Sequence, residues 1–213
     1  MNLLILGASG GCGIEVVRQA VARGYQVTAV VREETPFKAP DDVRVIRGSV
    51  LDRGLLESAV KGKDSVISCL GLNRKNKLNP WSQITSPKDL TSQTVSNLIS
   101  ILEAEVKLAV ISAAGVAESF SNTNPVLRFL IRNSSLGPAY NDLERMEEEL
   151  SESKLEWYAV RPVTLTDFRL KPVIETNSYG LFDTISRASV ASYLLDLLEG
   201  KIPVQNKTTI IKN

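Results

Sequence analysis

Apolar and polar positions follow two rhythms along this chain, and each change of rhythm marks an element. Leu3 to Leu6 is an unbroken apolar run, the pattern of a strand covered on both faces. It stops at a glycine-rich stretch, after which Ile14, Val17 and Val21 recur at helical spacing. Tyr25 to Val31, rich in β-branched residues, reads as a second strand, and Val43 to Arg47 as a third. A short helix is expected over Arg53 to Val60 and a buried strand over Ser65 to Leu70. Leu90, Val95, Leu98, Ile99 and Leu102 make one face of a helix expected from Leu90 to Glu105. Leu108 to Ser112 is the next apolar strand. Leu143, Met146 and Leu150 line one side of a charged helix from Asp142 to Glu152. Trp157 to Val160 is a strand closed by Arg161 and Pro162. Ser186 is placed to cap a helix running through Leu198 and stopping at Gly200, and Thr208 to Ile211 is a last short strand.

Strands that are buried on both faces and alternate with helices imply an α/β fold: a doubly wound, parallel sheet of Rossmann type in three α/β/α layers. A chain of 213 residues is most economically one domain, 1–213. Two connections are longer than such units need, residues 71–87 and 115–138, the second with a short helix expected over Pro125 to Arg132. Both follow the C-terminal ends of parallel strands, where open α/β sheets bind ligands. Trp81 in the first and Arg128 in the second are the candidate substrate contacts. The alternative for Trp81 is a hydrophobic plug that holds its own loop down.

The turn between the first strand and helix carries the chemistry. Residues 7–13 read G-A-S-G-G-C-G. A strand-to-helix turn offers unpaired backbone N–H groups and the positive end of a helix dipole to an anion. Glycines there let the backbone approach a pyrophosphate and the helix pack tightly on the strand. Dinucleotide binding follows, with Gly7, Gly10 and Gly13 spaced as G-x-x-G-x-x-G. At the end of the second strand stands Arg32, where an NAD-binding fold would carry an acid for the ribose 2′-hydroxyl. A guanidinium suits a 2′-phosphate instead, so NADP(H) is the expected cofactor, although Glu33 follows directly. Lys38 is either a second positive contact or an ordinary surface lysine.

Composition narrows the classes. The formal net charge is +1, without a basic stripe, so nucleic acid is not an expected partner. No apolar run has membrane-spanning length, and no secretory signal is evident, so the expected location is cytoplasmic. The two cysteines, Cys12 and Cys69, do not make a disulfide framework; they fill small sites, or offer an oxidisable thiol beside the cofactor. There are no histidines, which removes the usual general acid–base and the commonest transition-metal ligand. Metal catalysis and Ser-His-Asp hydrolysis are therefore not expected.

Together, G-A-S-G-G-C-G, V-V-R at 30–32, S-C-L-G at 68–71, I-S-A-A-G at 111–115, V-R-P at 160–162 and S-R-A-S-V-A-S-Y-L-L-D-L-L-E at 186–199 resemble the atypical short-chain dehydrogenase/reductases. Within them the chain is similar to the flavin reductase/biliverdin-IXβ reductase group of the NAD(P)H-binding, NmrA-like class. The resemblance implies that Ser9, Gly10, Gly11 and Cys12 hold the pyrophosphate by their backbone and that Arg32 meets the 2′-phosphate. It implies that Ser49 and Val50 line the adenine pocket, where many relatives carry an aspartate in place of Ser49. Cys69, Leu70 and Gly71 are expected beside the nicotinamide ribose, and Ser112 near the nicotinamide and substrate. Pro162 and Val163 are expected by the carboxamide, with the Val163 N–H as donor.

Two departures shape the functional expectation. The superfamily's Tyr-x-x-x-Lys pair is replaced by Tyr140 and Glu144, and a carboxylate there would raise a phenol's pKa. The histidine that flavin and biliverdin reductases show near the sixth strand end is absent. Hydride transfer to a flat conjugated acceptor needs least from the protein, so a flavin, quinone or tetrapyrrole is expected over an alcohol or ketone. Ser112 is then the leading catalytic candidate, with Tyr140 orienting or packing, in a monomer or weak homodimer. The rival expectation is an NmrA-like sensor that binds NADP(H) and catalyses nothing. Epimerase chemistry would need the Tyr–Lys pair and a larger substrate domain.

Overall fold

The computed structural model describes residues 1–76, 79–203 and 207–213; Lys77 and Leu78, in the first long connection, lie outside the described residues. In chain order its elements are β1 (Asn2–Leu6), α1 (Gly11–Ala22), β2 (Gln26–Val31), β3 (Val43–Arg47), α2 (Arg53–Val60), β4 (Ser65–Ser68), α3 (Leu90–Ile101) and β5 (Lys107–Ile111). A 3₁₀ turn (Ala117–Asn122) leads to α4 (Pro125–Asn133), α5 (Leu136–Glu152), β6 (Trp157–Pro162), β7 (Thr164–Thr166), β8 (Ile174–Thr176), β9 (Thr184–Ser186), α6 (Arg187–Leu198) and β10 (Thr208–Lys212).

The main sheet runs β3-β2-β1-β4-β5-β6-β10-β8. Its central strands are parallel and alternate their side chains between two apolar layers. Leu3, Ile5, Ala29, Val31, Ala109 and Ile111 face α1 and α6, meeting Val16, Val17, Ala20, Val190, Ala191 and Leu194. Leu4, Leu6, Val30, Leu108 and Val110 face α2, α3 and α5, meeting Leu56, Val95, Leu98, Met146 and Leu150. The period of two along each strand thus builds a three-layer α/β/α Rossmann fold. No helix among the described residues is long and apolar enough to cross a membrane.

Several expectations are corrected here. The sheet is not wholly parallel: β8 pairs antiparallel with β10 at one edge. The short strands β7 and β9 pair with each other in a separate ribbon. The helix expected over 90–105 ends at Ile101, because Leu102 turns extended and lets the chain reverse into β5. The helix expected from Asp142 begins at Leu136, so Tyr140 is helical. Gly137 and Pro138 fall in its first turn, where a missing N–H and a fixed φ are tolerated. On α1 the buried stripe is Cys12, Val16, Val17 and Ala20, and Ile14 stands exposed.

Candidate cofactor and acceptor site

Strand order reverses around β1, which has β2 on one side and β4 on the other. Doubly wound folds open their ligand crevice at such a switch point, beyond the carboxyl ends of the strands. The glycine turn sits there. Gly7 takes φ +73°, and a Cβ on it would stand 2.9 Å from the Cys69 carbonyl oxygen at the end of β4. The Gly10 N–H donates to the Gly7 carbonyl at 2.9 Å, closing the turn. A Cβ on Gly13 would collide with the Gly7 carbonyl, so this glycine brings α1 against the end of β1. Gly10 differs: its φ of −77° is ordinary, and a Cβ would meet only the Gly7 oxygen, at 3.2 Å.

No side chain caps α1, and no acid occupies its first turn. The N–H groups of Gly11 and Cys12, uncapped by any side chain, make an anion cradle next to Ser9 in sequence. Burial pushes the Cys12 thiol up to about 11, and burial raises Cys69 too. Burial thus disfavours the thiolate at both positions.

Arg32 lies exposed just past β2, with no ion-pair partner among the described residues. Its loop is held by Arg47, whose Nη1 donates to the carbonyls of Glu33 and Thr35, each at 3.1 Å. Lys38 is exposed further along the same loop. Ser49 is exposed and accepts from the Leu51 N–H at 3.2 Å, while Val50 is buried in the layer over α2. The Cys69 N–H extends the β1 ladder by donating to the Leu6 carbonyl, and Leu70 packs close to Gly7. Gly71 is exposed, with open space around it.

Across the crevice, Ser112 continues β5, its N–H donating to the Val160 carbonyl at 2.7 Å. Its hydroxyl is buried without a hydrogen-bond partner among the described residues. Such a group carries an unmet demand that a ligand can satisfy. Pro162 and Val163, at the end of neighbouring β6, are buried, but the Val163 N–H donates to the Ile211 carbonyl at 3.2 Å. The sheet, not a carboxamide, therefore takes the donor expected from the resemblance.

Tyr140 points its hydroxyl to the Ala114 carbonyl, at 3.2 Å. Its phenol is pushed up to about 12, first by burial and then by neighbouring Tyr179. The direction agrees with the expectation; the cause does not, since Glu144 is not among the contributors. Tyr179, which sequence reasoning missed, is buried and shares a 2.6 Å hydrogen bond with Thr123. Both tyrosines lie against Gly115, whose φ of +97° and narrow surroundings exclude a side chain.

The two long connections are stitched together. The Trp81 indole N–H donates to the Asn133 carbonyl at 3.0 Å, and Ser135 donates from its N–H and its hydroxyl to the Pro80 carbonyl. Trp81 remains 60 % exposed, so it latches its loop to the end of α4 and is not a buried plug. A cleft of about 420 Å³ is bounded by Gly115, Phe120, Ile131, Arg132, Tyr140 and Asn141. The Arg132 guanidinium lies over the Phe120 ring, 5.1 Å from its centre. Neither Ser112 nor Trp81 nor Arg128 borders the cleft; Arg128 is half-buried on α4.

A glycine turn at the switch point of a doubly wound sheet, with an uncapped helix behind it, defines a dinucleotide-binding Rossmann protein. The family described as NAD(P)H-binding matches residues 7–201, and the chain belongs to it. The dTDP-4-dehydro-6-deoxy-D-allose reductase of Streptomyces bikiniensis is 33% identical over 110 residues, which span 46% of this chain and 33% of that enzyme. Among solved structures, ChuY, an anaerobilin reductase of Escherichia coli O157:H7, superposes with a TM-score of 0.74 at 18% identity, over 99% of this chain and 96% of its own. A short-chain dehydrogenase/reductase of Veillonella parvula, solved with NADP, gives a TM-score of 0.73 at 17% identity, over 100% and 94%. At these identities the structural likeness establishes the fold.

Proposed function

We propose that this chain is an NADPH-dependent reductase that transfers hydride to a flat, conjugated acceptor such as a flavin, a quinone or a bilin-like tetrapyrrole. The observation that carries the reading is the site's chemistry: a buried, unpartnered Ser112 hydroxyl at the end of β5, and a Tyr140 without an activating lysine. When bound, NADPH supplies the hydride. The protein's work is then to bind, orient and exclude water. The α1 cradle takes the diphosphate, and Arg32 takes the 2′-phosphate by a charge-assisted fork. The Ser112 hydroxyl donates to a carbonyl or ring nitrogen of the acceptor, and the final proton comes from water. An anaerobilin reductase of the same fold favours this acceptor class.

A second reading is a binding protein that reports the NADP(H) state and catalyses nothing. The Tyr140 hydroxyl favours it, being turned to a backbone carbonyl with a raised pKa. One experiment separates the two: NADPH oxidation followed with FMN, FAD, a quinone and biliverdin in turn. Turnover with one of them supports the reductase. Tight NADPH binding with no turnover on any of them overturns it in favour of the sensor.

A further inference from the structure

Three positive features converge on one spot beside the glycine turn. The first is the uncapped first turn of α1, without an acidic residue. The second is the start of α6, whose first residue is Arg187. The third is the Arg187 side chain itself: a Cβ placed on Gly11 would stand 2.6 Å from its Nε and 2.7 Å from its Cδ. Further along α1, Gln19 ties the two helices together, its side-chain amide donating to the Ala188 carbonyl at 2.8 Å.

This arrangement works against its own electrostatics. A cation is unfavourable at a helix N-terminus, and here one cation meets two of them. The compensating acid is Asp167, whose Oδ1 accepts from Arg187 Nη1 at 2.5 Å. That carboxylate is 89 % exposed, so its pull is weakened by solvent. An anion of higher charge in the α1 cradle would satisfy the uncapped end of α1 and the guanidinium together; α6 already has its cap in Ser186, whose hydroxyl accepts from the Ser189 N–H at 3.0 Å.

We propose that Arg187 is a diphosphate-binding residue, held over Gly11 by Asp167 until the cofactor's diphosphate takes the place of that carboxylate. The assignment rests on the NADP(H) reading above and adds to it a cation from the far end of the chain. The Arg187 side chain lies across Gly11, where a Cβ would have to displace it. Asp167 is the competing acid, which keeps the guanidinium in place and sets how readily the diphosphate displaces it.

Calorimetric titration of wild type, Arg187→Ala, Arg187→Lys, Asp167→Asn and Arg32→Ala tests this, with NADPH, ADP-ribose and adenosine 2′-phosphate as probes. Arg187→Ala is expected to weaken NADPH and ADP-ribose by about tenfold or more, the size of a lost charge-assisted contact, and to leave adenosine 2′-phosphate unchanged. Arg187→Lys restores part of the loss, because a point charge replaces a fork. Asp167→Asn tightens NADPH by removing the competitor. Arg32→Ala gives the complementary pattern, weakening NADPH and adenosine 2′-phosphate but not ADP-ribose. Unaltered ADP-ribose binding by Arg187→Ala would overturn the assignment while leaving the cofactor reading intact. So would an Asp167→Asn variant that loses NADPH affinity as Arg187→Ala does, since the pair would then be a structural tie. A wild type that binds none of the three probes overturns the cofactor reading itself.

Discussion

Asp142, in the second turn of α5, caps the N-terminus of α3 from outside that helix, through Thr91. One carboxylate oxygen accepts from the Thr91 N–H at 2.9 Å and from its hydroxyl at 2.5 Å. The other takes the N–H and hydroxyl of Ser92, at 3.1 and 2.6 Å. All three residues are buried, so the four donors have no water to turn to. Asp142→Ala should destabilise the fold by about 2–4 kcal/mol, because it leaves buried donors unmet and a helix uncapped. Urea denaturation of both proteins measures this. A change below ~1 kcal/mol would mean that water replaces the carboxylate.

The glycine turn separates binding from folding. Gly13 has no room for a methyl group, because the Gly7 carbonyl occupies the space, whereas Gly10 has an ordinary φ and a single neighbour at 3.2 Å. Gly13→Ala should therefore lower the melting temperature markedly, by forcing α1 away from β1. Gly10→Val should fold and lose NADPH, its side chain filling the approach to the α1 cradle. Circular dichroism and calorimetry on the two variants separate the effects. NADPH affinity retained by a folded Gly10→Val would reduce the turn to a structural role.

Legibility in the sequence followed the range of the interaction involved. The glycines of 7–13 act through local sterics, and strands such as Leu3–Leu6 declare themselves by being apolar on both faces. The short pieces β7, β8 and β9 have no periodicity to read in three residues each. The start of α5 is not legible because Gly137 and Pro138 read as a loop, which conceals the helical setting of Tyr140. Asp142 looks like the beginning of its own helix; that it caps α3 depends on how two distant segments pack. Arg187 over Gly11 and Trp81 on Asn133 are contacts of the same long-range kind.

Arg32 stands exposed past β2, without an ion-pair partner among the described residues, on a loop that Arg47 holds by two carbonyls. A free guanidinium on an anchored loop is prepared for a phosphate without first breaking an ion pair. Wild type should bind NADPH more tightly than NADH. Arg32→Ala should reduce the NADPH affinity by about 1.5–3 kcal/mol, with little effect on NADH. Titration of both proteins with both cofactors measures it. Equal wild-type affinities for NADPH and NADH would refute the 2′-phosphate assignment. Arg47→Ala should blur the preference more mildly, by loosening the loop that carries Arg32.

The chemical step tests the roles of Ser112 and Tyr140 together. The Ser112 hydroxyl is buried and unpartnered at the end of β5, whereas the Tyr140 hydroxyl is already bound to the Ala114 carbonyl. With its pKa pushed up to about 12, the Tyr140 phenol stays neutral throughout the working range of an enzyme. A group whose pKa is raised in the fold keeps its proton below that value, so no tyrosinate ionises between pH 6 and 9. Tyr140→Phe should therefore leave the shape of the pH–rate profile unchanged and lower kcat/KM only slightly. Ser112→Ala should lower kcat/KM for a flavin by ~5- to 30-fold, the worth of one neutral hydrogen bond that strengthens in the transition state. Steady-state kinetics of the two variants across that pH range decide between them. A Tyr140→Phe loss of several orders of magnitude, with Ser112→Ala near wild type, would restore a tyrosine acid and overturn the assignment.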